Sequence, residues 1–161
     1  ALDLLRREGH GAAADIAERE LRYIGKANAE TSARINKLLH DPAIELSSGA
    51  RSELNDALGS LNDHMKSSDL VGMVRDNHSL PVLHPQKTDI AGKDIYYQHS
   101  KEIDNGLDSL TNAQAALKAK LSHLRKQLPS PANDASYSAI SSTLEAVNDM
   151  KSRIDSLRKL K

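Results

Sequence analysis

The chain contains no cysteine, no phenylalanine and no tryptophan, and its aromatic side chains are four tyrosines, Tyr23, Tyr96, Tyr97 and Tyr137. Without cysteine there is no disulfide, no thiol nucleophile and no cysteine-ligated zinc. The redox compartment stays open, since such a chain tolerates oxidising and reducing surroundings alike. With so few aromatics the core has to be aliphatic, and β-sheet, which leans on aromatic and β-branched residues, is disfavoured. An excess of charge is missing too: Lys plus Arg and Asp plus Glu each number 22, interspersed along 161 residues. That balance offers no clustered basic field, so a nucleic-acid partner is not expected. No apolar run approaches the roughly 20 residues that a membrane-spanning helix needs. The five prolines fall at residues 42, 81, 85, 129 and 131, which leaves long stretches free to be helical.

What is present is heptad spacing. Ile103, Leu107, Leu110, Gln114, Leu117, Leu121, Leu124 and Leu128 follow one another in steps of four and three. Such a stripe keeps one narrow apolar face toward a partner helix and requires one to bury it. An equivalent stripe, Ala17, Leu21, Ile24, Asn28, Thr31, Ile35 and Leu38, predicts a helix from about 12 to 40, stopped by Asp41-Pro42. Before it, the short apolar segment Leu2, Leu4 and Leu5 meets the helix-loosening glycines of Gly9-His10-Gly11. Ser47 or Ser48 can cap a helix over 48–74 carrying Leu54, Leu58, Leu61 and Met65, kinked near Ser67-Ser68. From 76 to 93 the periodicity disappears around Pro81, Pro85 and Gly92, and a long irregular connection is expected. Helices over 94–128 and 134–160 follow, separated by Pro129-Ser130-Pro131, the last capped by Asn133 or Asp134 and closed by Lys159 and Lys161.

Four amphipathic helices without strand candidates predict an all-α domain, an antiparallel up-down four-helix bundle with long coiled-coil-like helices. An extended coiled-coil dimer and a spectrin-like three-helix array are the competing architectures, and the long third helix makes self-association possible. Residues 1–161 read as a single domain. Because the chain begins at Ala1 rather than Met, it is expected to be part of a longer protein.

Chemistry-bearing candidates are few. Asn28, Thr31 and Gln114 sit on the seams where leucine would pack better. They either fix helix register or line a pocket for a ligand between helices. His78 and His84, with Asp76, Asp89 and His99 nearby, have the side chains for zinc, but their spacing matches no compact ligand pattern. There is no Gly-x-Ser-x-Gly elbow, no glycine-rich phosphate loop and no His-Glu-x-x-His helix. Neither enzymatic activity nor a cofactor is expected.

Binding is the remaining reading. Leu80, Val82 and Leu83, in a segment whose prolines favour extended backbone, are expected to seal the chain's own bundle or else to contact a protein partner, and the adjacent Tyr96-Tyr97 are candidates for the same contact. Ile44 and Leu46 in the 41–47 turn are candidates for dipping into a membrane surface. The basic flanks Lys37 and Arg51 that would favour anionic lipid are offset by Asp41, Glu45 and Glu53, so local packing of Ile44 and Leu46 as a staple across the turn is the expected role. The expected function is an adaptor, scaffold or targeting module. The overall style is shared with bacterial secreted effectors and secretion-apparatus proteins, which would make the chain secreted or delivered into a host cell. No residue-level motif carries that likeness.

Overall fold

The computed structural model describes residues 2–77 and 98–159. Among these residues every regular element is helical: α1 (Leu2–Arg7), α2 (Gly11–His40), α3 (Ser48–Asp63), α4 (Ser67–Asn77), α5 (Gln98–Gln127), a 3-10 turn at Pro131–Asn133, and α6 (Ala135–Arg158). The seam residues do what their spacing requires. Ile103, Leu107, Leu110, Leu117 and Leu121 are buried on α5, and Leu21, Ile24, Ile35 and Leu38 on α2. On α6 the buried set is Ile140, Val147, Met150, Ile154 and Leu157. All of these join one continuous aliphatic core. The α5 stripe is therefore covered within the chain, by α3, α4 and α6.

Three departures from the sequence reading have local causes. The expected second helix is two. His64 closes α3 with φ −123° and ψ −4°, donating its N–H to Ser60 at 2.9 Å, and α4 starts again at Ser67. The break therefore precedes the expected kink at Ser67-Ser68. Asp76 and Asn77, placed by sequence in the irregular connection, close α4 instead. Gly11 does not break a helix but opens α2, and the chain reversal falls to Gly9 alone. At φ +85° Gly9 adopts the left-handed conformation that favours glycine. It ends α1 in a Schellman arrangement, His10 N–H donating to Leu5 O at 2.8 Å and Gly9 N–H to Arg6 O at 3.3 Å. Leu5 is thereby turned into the core, 1 % exposed.

The caps at the other junctions were readable. Ser47 accepts from Ala50 N–H at 3.1 Å, and Asp134 from Tyr137 N–H at 2.9 Å. Each satisfies a donor that a first helical turn leaves without an intrahelical acceptor. In the 41–47 turn, Asp41 accepts from Ala43 N–H through its side chain and from Ile44 N–H through its carbonyl.

Polar pairs fix how the helices register. Glu20, Tyr23 and Arg34 on α2 meet Arg153, Asp149 and Ser142 on α6, so the partners move back along α6 as α2 advances. On α5 and α6 the same holds for Asp104 with Arg158, Gln114 with Asn148, and Arg125 with Tyr137. Asn28 reaches Leu61 on α3, while Arg51 reaches back to Leu39. His64, at the end of α3, lies 3.8 Å from Glu102 near the start of α5.

Candidate functional site

The polar seam residues are held on helices, and the structure separates them. Asn28 is half-buried on α2. Its amide donates to Leu61 O at 2.9 Å and Met65 O at 3.1 Å, and its own oxygen accepts from Ser32 Oγ at 3.2 Å. Two carbonyl acceptors fix which end of the amide faces them. The side chain thus replaces backbone donors that the end of α3 has lost. Gln114, on α5, donates to Asn148 and accepts from Lys151 Nζ at 3.2 Å, both on α6. Thr31 is buried, 1 % exposed, beside a groove between α2 and α6 lined by Tyr23, Ala27, Arg34, Ser142 and Asp149. The three do not converge on one pocket.

A fourth polar cluster was not foreseen. The Arg153 guanidinium lies 3.6 Å from the centroid of the Tyr23 ring and 3.1 Å from Glu20, and its Nε is 3.3 Å from Asp149. Tyr23 closes the circuit by donating its hydroxyl to Asp149 at 3.0 Å. Hydrogen bonding to Glu20 holds the Arg153 pKa above its ordinary value, with burial pulling the other way. The Asp149–Arg153 spacing of four residues is a helical ion pair that sequence can suggest. The attachment of Tyr23 and Glu20 depends on how α2 and α6 register, which no local pattern contains.

Close approach of helices produces a second unforeseen feature. A methyl group added at Gly106 would lie 2.5 Å from Met65 Cε and 3.6 Å from Ser60 Cβ. Met65, 1 % exposed, occupies the space that a side chain on α5 would fill.

At the 41–47 turn Ile44 is 3 % exposed and packs into the core, as a staple across the turn would. Leu46 is half-buried and packs against the same core. The Asp41 turn directs both inward, where they cover aliphatic surface at the end of the helices. Arg51, one of the two basic flanks, donates to Leu39 O at 2.9 Å and so completes the end of α2. Leu80, Val82, Leu83, Tyr96 and Tyr97 lie outside the described residues, as do His78, His84 and Asp89. Asp76 belongs to α4 and His99 to the first turn of α5. Among the described residues no three His, Asp or Glu side chains are grouped to hold a metal ion. No helix among them is long and apolar enough to cross a membrane.

Among the described residues, the concave surface includes shallow channels between neighbouring helices. One of about 500 Å³ runs between α3 and α5, floored by Gly49, Ala50, Ala115 and Ala119 and edged by Glu53 and Lys120. Another of about 340 Å³ lies between α2 and α6, beside Arg34, Lys37, Ser138 and Ser142. Against family models, curated proteins and solved structures, the chain finds no match.

Proposed function

We propose that the chain is a non-catalytic interaction module, an antiparallel four-helix bundle that works as an adaptor, scaffold or targeting domain. The observation that carries this reading is the use made of the polar seam. Asn28 and Gln114, the side chains best placed to address a ligand between helices, are engaged in helix-to-helix hydrogen bonds. The bundle itself is supported by the registers above, in which α2 neighbours α3 and α6 while α5 neighbours α3 and α6. Each of these pairs advances in opposite directions, as short connections between long helices favour.

Surface recognition then falls to what the bundle leaves outward or at its ends. Ile16 and Tyr23, seven residues apart and so on one side of α2, are the large apolar side chains exposed among the described residues. The segment with Leu80, Val82 and Leu83, outside the described residues, is the second candidate, because its prolines disfavour helix and its apolar residues suit a protein partner. Capture of a protein partner by the intact chain, compared with the L80D/V82D/L83D variant, tests this. Saturable binding by the native chain that the triple variant loses, with unchanged helical circular dichroism, is the expected result. Binding to anionic vesicles instead, abolished by Leu46→Asp, would overturn it in favour of membrane targeting.

A further inference from the structure

We infer that the trough between α2 and α6 binds a phosphate-like oxyanion, gripped by Arg34 and Lys37 on one wall and Ser138 and Ser142 on the other. The spacing of these residues builds both walls. Arg34 and Lys37 are three apart on α2 and Ser138 and Ser142 four apart on α6, so each pair shares one side of its helix. The register of α2 against α6 sets the pairs across a channel of about 340 Å³, whose remaining lining, including Leu38 and Ala139, is uncharged. Arg6, Arg22, Arg153 and Arg158 each pair with carboxylates. Arg34 instead donates to the Ser142 hydroxyl, and Lys37 has no carboxylate partner among the described residues. Two cations thus share a channel without a counter-charge in it. An oxyanion there gains charge-assisted hydrogen bonds from the guanidinium and the ammonium, and further donors from the two hydroxyls.

A buried hydroxyl in the same trough supports this independently. Arg34 and Ser142 also line the adjoining channel of about 230 Å³, and Thr31, 1 % exposed, lies at its floor. Threonine within a helix often bonds to the carbonyl four residues back, as Thr111 does to Leu107 O at 3.0 Å and Thr143 to Ala139 O at 2.8 Å. Thr31 makes no such bond, and among the described residues its hydroxyl has no partner. Of the three polar seam residues it is the one left with hydrogen-bonding capacity to spare, beside the point where Arg34 meets Ser142. A buried polar group without a partner is costly, and an acceptor oxygen at that junction would satisfy it. The carboxylates of the trough, Glu30, Glu145 and Asp149, line the Thr31 channel alone, and Asp149 is engaged by Arg153 and Tyr23. Asp134, at the head of α6, is occupied in capping Tyr137 N–H. Repulsion therefore directs the body of the anion toward Lys37, with one oxygen left at the Arg34–Ser142 junction. The site shares no residue with the surfaces proposed for a protein partner.

Titration of the intact chain with inorganic phosphate at constant ionic strength, followed through backbone amide shifts, tests it. Saturable changes centred on Arg34, Lys37, Ser138 and Ser142 are expected. Arg34→Gln and Lys37→Gln, exposed positions where the fold should survive, are each expected to weaken binding about fivefold or more. Thr31→Val should weaken binding without lowering Tm, whereas Thr143→Val, which loses a formed bond, should lower it. Vesicles containing phosphatidic acid are the second arm. Sedimentation with them that Arg34→Gln abolishes assigns the oxyanion to a lipid headgroup, and phosphate binding without sedimentation assigns it to a free solute. Shifts that never saturate or that scatter over the other lysines would overturn the site, as would unchanged affinity in Arg34→Gln and Lys37→Gln. A fall in Tm for Thr31→Val as large as for Thr143→Val would overturn the part given to its hydroxyl.

Discussion

Asn28 and Gln114 take the same kind of heptad position, yet their replacement by leucine carries different consequences. At Asn28 two backbone carbonyls lose their donor, and a backbone acceptor at a helix break has little room to find another. Gln114 bonds to the ends of Asn148 and Lys151, side chains that can turn to water. Asn28→Leu is therefore predicted to cost about 1–3 kcal/mol in urea unfolding and Gln114→Leu less than about 1 kcal/mol. At the Tyr23–Arg153 stack, the guanidinium is partly exposed, so its ion pairs are screened and the ring contact is the more durable share. A double-mutant cycle with Tyr23→Leu and Arg153→Ala should give a coupling of about 0.5–1 kcal/mol that survives molar salt better than the Glu20 pair does. At the end of α6, the Lys159 ammonium 2.9 Å from Asp155 draws that carboxyl below its ordinary pKa. A carboxylate depressed in this way contributes stability above its unfolded pKa, lost as pH falls through the folded value. Asp155→Asn should flatten that small acid-side loss, seen by comparing unfolding midpoints of the two proteins between neutral and acid pH.

At the level of helices, ends matter as much as stripes. Ser47 and Asp134 each supply one capping oxygen. Replacing either by alanine should cost about 1 kcal/mol, a fall of roughly 2–4 °C in Tm for a chain of this size. Helix starts and stops were legible because the chemistry is local: Asp41-Pro42 ends α2, Pro129 follows α5, and Asp134 opens α6. The α3–α4 break was misplaced because no proline or glycine marks it. Its cause is tertiary, with Met65 drawn into the hollow at Gly106 and Asn28 supplying the missing donor. Ile44 packs inward, in keeping with a staple across its turn, for a reason that is local. A turn between helices usually faces water, but hydrogen bonds to Asp41 fold this one back over the core.

For the whole molecule, heptad stripes on α2, α5 and α6 were enough to foresee an all-helical protein with an aliphatic core. The α5 seam finds its partners in the same chain, so its length does not by itself demand a second copy. Registers between helices were not legible, and with them went the Tyr23–Arg153 cluster and the roles of Asn28 and Gln114. The sequence shows which residues face inward but not which neighbour each one meets. The absence of cysteine makes the register directly measurable, since two introduced cysteines carry the only spin labels. Pulsed electron resonance on Arg19→Cys/Ser152→Cys is predicted to give a short separation. Arg19→Cys/Ser138→Cys should be longer by about 14 Å, combining an interhelical spacing of about 9 Å with roughly 21 Å of rise between the two α6 positions. Equal distances, or the reverse order, would contradict the antiparallel packing of α2 against α6 on which the proposed bundle rests.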